Sequence, residues 1–190
     1  MSMFIFVRHG QSDGNANGYI ADAETRLTEF GIEQAKATAV KVKDKAITSI
    51  VCSPMARAQQ TAETIAAELG IDIAHITVME ELRERGLGRV EGKLKDHDSE
   101  WYLTNDETEL GIESRSELIK RMRTCLDKLD DLPETVLAVG HAISGYYLLE
   151  VAEGKTRFED FGPAHELLNA DFIEVDSKLH RVKTQGSSLI

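Results

Sequence analysis

Close to its amino terminus the chain reads Phe4-Ile5-Phe6-Val7-Arg8-His9-Gly10-Gln11-Ser12. Four consecutive apolar residues are typical of a strand that is buried on both faces, as in the interior of a parallel sheet. The apolar run ends at an arginine and a histidine. Because open α/β sheets bind ligands beyond the carboxyl ends of their strands, Arg8 and His9 stand where they could act on an anion. A polar turn without a ligand would explain an isolated Arg-His-Gly equally well.

Length and composition indicate one globular domain. The 190 residues are 42% hydrophobic, which suits a packed core over 1–190 with an inserted, cap-like segment at about 93–111. No apolar run approaches the ~18–20 residues that span a bilayer, and we expect no secretory signal. With only Cys52 and Cys125, the chain has no disulfide framework, so we expect a cytoplasmic protein.

The net charge limits the partners that we expect. A charge of −11 argues against binding to nucleic acid or to an anionic membrane surface, since both require clustered lysine and arginine. A phosphorylated small molecule remains compatible with it, because exposed charges are screened beyond roughly 8 Å at physiological salt. Such a ligand would need a local group of arginines inside a cleft. The oligomeric state stays open, a homodimer included.

Short apolar strands and amphipathic helices alternate along the chain. Further strands are predicted at 47–52, 76–79, 135–139, 167–175 and 179–183, and helices at about 28–45, 53–70, from 114 onward and after 140 to about 153. Ser53 is the predicted N-cap of the second helix, with Pro54 at its first position. Ser114 and Glu117 form a predicted capping box.

Three of the predicted strands end in polar groups of complementary kinds. The first ends in Arg8 and His9, the second is followed by Ser53 with Arg57 in the next helical turn, and the strand at 135–139 precedes His141. If these strands are parallel neighbours, two arginines and two histidines meet at one edge of the sheet. Helix N-termini at the same edge would add backbone N–H donors.

This set of groups suits a phosphoryl group. Guanidinium groups bind phosphate oxygens in a bidentate manner, and a neutral imidazole can attack phosphorus. A departing alkoxide also needs a proton, for which the acidic segment at 80–91 is the obvious source.

At this point the chain resembles the histidine phosphatase superfamily, also called the phosphoglycerate mutase-like family. The motifs run in the family's order over most of the chain: Val7-Arg8-His9-Gly10-Gln11-Ser12 with Asn15, Arg26-Leu27-Thr28-Glu29-Phe30-Gly31 with Gln34-Ala35, Cys52-Ser53-Pro54-Met55-Ala56-Arg57-Ala58 with Gln60-Thr61-Ala62, Leu82-Arg83-Glu84 with Leu87-Gly88 and Glu91-Gly92, Glu113-Ser114, and Val139-Gly140-His141-Ala142.

The resemblance implies a three-layer α/β/α sandwich with a mostly parallel central sheet, and a phosphohistidine intermediate formed without a metal or other cofactor. By match to the family's motifs, the catalytic residues are His9 as nucleophile, Glu84 as proton donor, and Arg8, Arg57 and His141, which bind the phosphoryl group. The same match places Ser12, Asn15 and Ala142 among the substrate-binding residues. Glu80, Glu81 and Glu91 remain alternative proton donors, and Asn15 could simply cap a turn.

Three positions depart from the family's pattern. Gly86 stands where many members carry an aromatic residue or histidine, and Val90 stands where they carry another aromatic residue. Tyr146 stands where an arginine often follows the second histidine. These departures leave the substrate open.

A phosphatase acting on small phosphomonoesters is the leading hypothesis. Cofactor-dependent mutases resemble the same core but carry a basic and aromatic lid, whereas the segment at 93–111 is acidic and supplies only Lys93 and Lys95. A phosphoprotein phosphatase, for example one acting on phosphohistidine, would be expected to lack that segment. A non-catalytic phosphate-binding protein would be expected to have lost His9 or an arginine.

Overall fold

The computed structural model describes residues 3–94, 108–132, 135–162 and 167–184. Its strands are β1 (Met3–Arg8), β2 (Ser49–Cys52), β3 (Ile76–Val78), β4 (Val136–Gly140), β5 (Phe172–Asp176) and β6 (Arg181–Thr184). Its α-helices are α1 (Asp13–Asn17), α2 (Glu29–Val42), α3 (Ala56–Leu69), α4 (Arg115–Asp130) and α5 (Ala142–Ala152).

The strands form one sheet in the order β3-β2-β4-β1-β5-β6. The first four strands of this order are parallel, whereas β5 and β6 are antiparallel additions at one edge. The register pairs Val7 with Val139 and Cys52 with Val139, so the carboxyl ends of β1, β2 and β4 lie level. The predicted α/β class with a mostly parallel sheet is therefore confirmed.

Alternate residues of β1 point into two different apolar layers. Phe4 and Phe6 belong to a core cluster with the inward faces of α4 and α5, while Ile5 and Val7 belong to a cluster with α2 and α3. This alternation is the period-two pattern of a strand covered on both faces, and it confirms the three-layer arrangement. Each large apolar side chain buried in this way contributes about 1.5–3 kcal/mol.

The helix after β2 begins later than the sequence predicts. The predicted N-cap Ser53 and first helical residue Pro54 are wrong, because α3 starts at Ala56 with Met55 at the N-cap position. The hydroxyl of Ser53 instead accepts the N–H of Met55 and contacts His141 Nε2 at 2.7 Å. Ser53 therefore contacts His141 at the edge of the sheet where the three strands end, instead of capping the helix.

The predicted strand at 167–175 is also shortened. It begins only at Phe172, because the chain turns at Leu168–Asp171, where the Asp171 carboxylate accepts the Leu168 N–H and Ala170 has a φ of 61°. The capping box at Ser114 is confirmed: its hydroxyl accepts the Glu117 N–H, and the Glu117 carboxylate accepts the Ser114 N–H.

Most of the predicted insertion at 93–111, including Trp101, lies outside the described residues. On its described flanks, Leu94 pairs with Tyr19 in an isolated bridge and Thr108–Leu110 forms a short 3₁₀ turn. Within the described part of the chain, every helix is too short or too polar to span a membrane.

Candidate active site

The ends of β1 and β4, together with the first turn of α3, bring the four predicted phosphate-site side chains together. The rings of His9 and His141 lie with their centroids 5.0 Å apart at an angle of 64°. Arg57 reaches the same point, since its Nε lies 3.2 Å from His9 Nε2. Residues separated by up to 133 positions therefore lie together in one buried site. This is the result expected if their strands are parallel neighbours in the sheet.

His9 is held as a neutral imidazole whose unprotonated nitrogen is Nε2. Its Nδ1 lies 2.7 Å from the carbonyl oxygen of Gly10, which can only accept, so Nδ1 carries the proton. Its Nε2 accepts the Nε–H of Arg57 and therefore presents a lone pair. Burial, reinforced by the charges of Arg57 and Arg8, lowers the pKa of His9 well below its ordinary value. A neutral Nε2 is the form that can act as a nucleophile.

Each of the two arginines is fixed by the same nitrogen to a main-chain carbonyl. Arg8 Nη1 donates to the carbonyl of Leu167 at 2.6 Å, and Arg57 Nη1 donates to the carbonyl of Asp22 at 2.6 Å. Burial lowers the pKa of both guanidinium groups, and the Glu84 carboxylate opposes this effect in each case. The anchoring leaves the opposite, Nε–Nη2 edge of each guanidinium free of main-chain bonds among the described residues.

That free edge is the one that binds a phosphate in a bidentate manner. Arg8 Nε is buried and has no hydrogen-bond partner among the described residues. Arg57 uses the same edge for weak or replaceable acceptors, namely His9 Nε2 and the thioether sulfur of Met55 at 3.2 Å. Phosphate oxygens are stronger acceptors than a thioether, so the pocket is arranged for an anion.

His141 lies at the N-cap position of α5, where the helix dipole also favours an anion. Its Nε2 is hydrogen-bonded to Ser53, while its buried Nδ1 has no partner in the described part of the chain. Burial, followed by the charge of Arg57, lowers the pKa of His141 well below its ordinary value. The N–H of Ala142, in the first turn of the same helix, also has no acceptor among the described residues.

The loop after His9 is fixed by close backbone packing. A Cβ on Gly10 would lie 2.3 Å from the carbonyl oxygen of Gly31, and a Cβ on Gly31 would lie 2.1 Å from that of Gln11. No side chain can be accommodated at these distances. The Gly10 N–H donates to Thr61 Oγ1, whose hydroxyl donates to the Arg57 carbonyl. These contacts give Gly10, Gly31 and Thr61 of the sequence motifs a structural role in fixing the loop after His9.

The carboxylate of Glu84 caps helix α5 beside this pocket. Glu84 Oε1 accepts the N–H groups of Ser144 at 2.7 Å and Arg85 at 2.9 Å, and Oε2 accepts the N–H of Ile143 at 3.1 Å. Glu84 is therefore attached to the helix that begins at His141. Oε2 has one backbone donor where Oε1 has two, so Oε2 is the oxygen with more room for a proton.

Ser12 and Asn15 form a capping box at α1. The Asn15 side-chain oxygen accepts the Ser12 N–H and hydroxyl, and the Ser12 oxygen accepts the Asn15 N–H. The hydroxyl of Ser12 is fully buried and occupied, so its role in substrate binding stays a prediction without a supporting contact. The amide nitrogen of Asn15 has no acceptor in the described residues, which keeps its predicted phosphate contact open.

One residue of the site escaped the sequence analysis. Asn169, in the turn before β5, donates from its side-chain nitrogen to the carbonyl of His9 at 3.1 Å and to Asn15 Oδ1 at 3.2 Å. It joins the main chain of His9 to Asn15, the predicted phosphate contact. The sequence analysis placed Asn169 inside the predicted strand at 167–175, so no signal marked it as a residue of the site.

The three residues that depart from the family's pattern each make a different kind of contact. The Gly86 carbonyl accepts the Glu113 N–H, and the Gly86 N–H donates to the Glu113 carboxylate. Val90 packs partly buried beside Leu87. The Tyr146 hydroxyl donates to the carbonyl of Gly162 at 2.7 Å, so it fixes that neighbouring segment. Their effect on specificity stays a prediction.

The two buried histidines predict how stability depends on pH. The folded-state pKa is lowered in both, so the unfolded chain takes up protons below its pKa of about 6.5 that the folded chain does not bind. The full stability is present above about pH 6.5 and decreases as the pH falls. At about pH 5.5 each histidine should lower the free energy of unfolding by about 1 kcal/mol relative to pH 7.5.

Urea unfolding of the wild type and of the His9→Gln/His141→Gln double variant would measure this effect. The variant should lose about 2 kcal/mol of the wild type's pH dependence over the same interval. An identical pH dependence in the two proteins would contradict neutral, buried histidines.

No three His, Cys, Asp or Glu side chains lie close enough to hold a metal ion within the ranges that the structure describes. His97 and His165 lie outside those ranges, while His75 and His180 lie within them. The expected metal independence stays a prediction.

Comparison with known proteins identifies the family of this chain. The profile of the histidine phosphatase superfamily (branch 1) matches residues 4–183, and the chain belongs to that family. A probable phosphoglycerate mutase GpmB of Photorhabdus laumondii is 35% identical over 157 residues, covering 76% of this chain and 71% of that protein. The same-named protein of Yersinia pestis is 32% identical over 166 residues, covering 81% and 76%.

Among solved structures, a mycobacterial glucosyl-3-phosphoglycerate phosphatase in complex with VO3 is similar to this chain. It superimposes with a TM-score of 0.73 at 25% identity and covers 90% of both chains.

Proposed function

We propose that this protein is a metal-independent phosphatase that hydrolyses small-molecule phosphomonoesters through a phosphohistidine intermediate on His9. The observation that carries the proposal is the neutral His9 Nε2, which accepts the Nε–H of Arg57 at 3.2 Å. Beside it lie two guanidiniums that are anchored through Nη1 and whose Nε–Nη2 edges bind no carboxylate among the described residues. Nucleophile and charge stabilisation are thus both supplied by this chain.

In the first step, the Nε–H of Arg57 turns from His9 Nε2 to a phosphate oxygen, the released Nε2 lone pair attacks phosphorus, and the P–O bond to the leaving alcohol breaks. The Nε–Nη2 edges of Arg8 and Arg57 bind the equatorial oxygens, with the Ala142 N–H as a further donor. His141 can contribute Nδ1–H if the Ser53 hydroxyl donates to its Nε2, which the 2.7 Å contact allows. Glu84 gives its proton to the departing oxygen, so the alcohol leaves neutral.

In the second step, water attacks the phosphoryl group and the P–N bond breaks. The Glu84 carboxylate accepts the proton of the attacking water, inorganic phosphate leaves, and His9 recovers its Nε2 lone pair. Glu84 is thereby returned to the acid form, as the next cycle requires.

A phosphoglycerate mutase is the second candidate, because the two relatives reported above carry that name. Two observations favour hydrolysis. The segment at 93–111 supplies only Lys93 and Lys95 for a second phosphate, and the similar solved structure is named a phosphatase. A mutase must also keep water away from the phosphohistidine, for which a closed, basic lid is the expected device.

A panel of phosphomonoesters, assayed with excess chelator, tests this proposal. The panel should contain sugar phosphates, 3-phosphoglycerate, a nucleotide and a phosphohistidine peptide, with released phosphate and isomerised phosphoglycerate measured in parallel. We expect phosphate release from at least one small ester at a rate that the chelator does not change. Isomerisation faster than phosphate release would show a mutase, and preference for the peptide would show a phosphoprotein phosphatase.

We also propose a cytoplasmic location, on the basis of the cysteines. Cys52 and Cys125 are buried free thiols in the two separate apolar layers, so they cannot form a disulfide with each other. Burial raises the pKa of Cys52 to about 11 and that of Cys125 to about 12, which makes both thiols unreactive. Fractionation of the native host would test the location.

A further inference from the structure

A nearly buried ion pair lies behind the loop that carries Glu84. Arg121 of α4 binds the carboxylate of Glu113 in a bidentate manner, with Nε–Oε1 at 2.7 Å and Nη2–Oε2 at 2.6 Å. The two side chains are only 11% and 10% exposed. Burial of such a pair is costly unless further hydrogen bonds satisfy it, so its remaining partners indicate what it does.

The remaining donors of Arg121 all point at the main chain around Glu84. Nη1 donates to the carbonyls of Glu81 at 2.6 Å and Arg83 at 2.8 Å, and Nη2 lies 3.4 Å from the carbonyl of Glu84 itself. A single guanidinium therefore holds the segment that precedes the carboxylic acid.

Glu113 holds the segment that follows. Its carboxylate accepts the Gly86 N–H at 3.2 Å, its own N–H donates to the Gly86 carbonyl at 2.8 Å, and its carbonyl accepts Arg85 Nε at 2.8 Å. Arg85 is almost fully buried. The pair thus fixes the backbone on both sides of Glu84, in a stretch that contains only a short 3₁₀ turn at Glu80–Leu82.

We infer that Glu113 and Arg121 are positioning residues that hold Glu84 in place for proton transfer to the leaving group. The inference rests on the proposed function, in which Glu84 is the acid. Proton transfer requires the acid within hydrogen-bond reach of the departing oxygen, and a displacement of about 1 Å can cost on the order of 100-fold in rate. The three N–H contacts of Glu84 to its own loop and to α5 place its carboxylate, and the ion pair places the backbone from which that carboxylate extends.

The test is the dependence of kcat/KM on the leaving group in Arg121→Lys and Glu113→Gln. In a two-step reaction through a phosphoenzyme, kcat/KM reports the steps up to loss of the leaving group, where the acid acts. Each variant should lower kcat/KM for an alkyl phosphate by about 10-fold or more, and for p-nitrophenyl phosphate by less than about 3-fold, because nitrophenolate departs without a proton. A defect in folding or in phosphate binding would lower both values equally.

Lys128→Gln is the matched control. Lys128 is an exposed residue of the same helix and pairs with the same segment, but only through the Glu81 side chain at 2.7 Å, so both substrates should keep their wild-type kcat/KM. The decisive measurement adds Arg121→Lys to a Glu84→Gln protein. If Arg121 acts through Glu84, this second change should lower kcat/KM for the alkyl phosphate by less than about 2-fold further.

Equal losses on the two substrates, unchanged kinetics in both variants, or full additivity with Glu84→Gln would each overturn the inference. Glu113→Gln serves if Arg121→Lys does not fold, since it leaves the arginine and most of the side-chain volume in place. Failure of the proposed function has a different signature: the wild type itself would release no phosphate from any ester.

Discussion

His9→Ala is expected to lower kcat on every phosphomonoester by about 10⁴-fold or more, because it removes the atom that forms the proposed covalent intermediate. The remaining Arg8, Arg57 and His141 would still bind the phosphoryl group, so the variant should retain affinity for vanadate or inorganic phosphate. Loss of turnover with retained anion binding would show that His9 acts in the chemical step and that other residues bind the anion.

Rapid acid-free quenching during turnover of a ³²P-labelled ester measures the intermediate directly. The wild type should carry an acid-labile, alkali-stable phosphoryl group, and His9→Ala should carry none. His9→Asn is a useful second variant, since its side-chain amide can still donate to the Gly10 carbonyl and preserve the loop. His75→Ala, at an exposed histidine outside the site, should behave as wild type. Full activity in His9→Ala, or an acid-stable serine phosphate, would refute the assignment.

The parts of this protein that sequence could predict are those governed by local pattern. A buried parallel strand reads as an uninterrupted apolar run, and the residue that follows it lies at the carboxyl edge of the sheet. That rule predicts that Arg8, His9, Arg57 and His141 lie near one another if their strands are parallel neighbours. It required only that β1, β2 and β4 be neighbours, which their register confirms.

The features that could not be predicted from the sequence depend on contacts between residues that are distant along the chain. The carbonyls of Leu167 and Asp22, which fix the two guanidiniums, have no side-chain identity to recognise. Ser53 was misassigned for a related reason. Its local pattern is that of an N-cap, but His141, 88 positions away, offers a stronger partner to the same hydroxyl. Tertiary contacts decided both cases.

Glu84→Gln is expected to lower kcat/KM for alkyl and sugar phosphates by about 10²–10⁴-fold, the usual contribution of a general acid. The loss on p-nitrophenyl phosphate should stay below about 10-fold, because its leaving group needs no proton. Steady-state kcat is the weaker measure here, since Glu84 also acts on water in the second step and would slow both substrates there. Comparable losses in kcat/KM on the two esters would point to Glu80, Glu81 or Glu91 as the acid.

The hydrogen bonds of Glu84 predict that Glu84→Gln also lowers the stability of the fold, in addition to its effect on catalysis. Both carboxylate oxygens accept backbone N–H groups, those of Arg85, Ile143 and Ser144. An amide has only one oxygen, so Gln at this position must turn an NH₂ group toward at least one backbone donor. Glu84→Gln should therefore also destabilise the fold by about 1–3 kcal/mol, measured by urea unfolding. This loss of stability affects both substrates equally. The ratio of kcat/KM for the alkyl phosphate to kcat/KM for p-nitrophenyl phosphate should therefore report proton transfer alone.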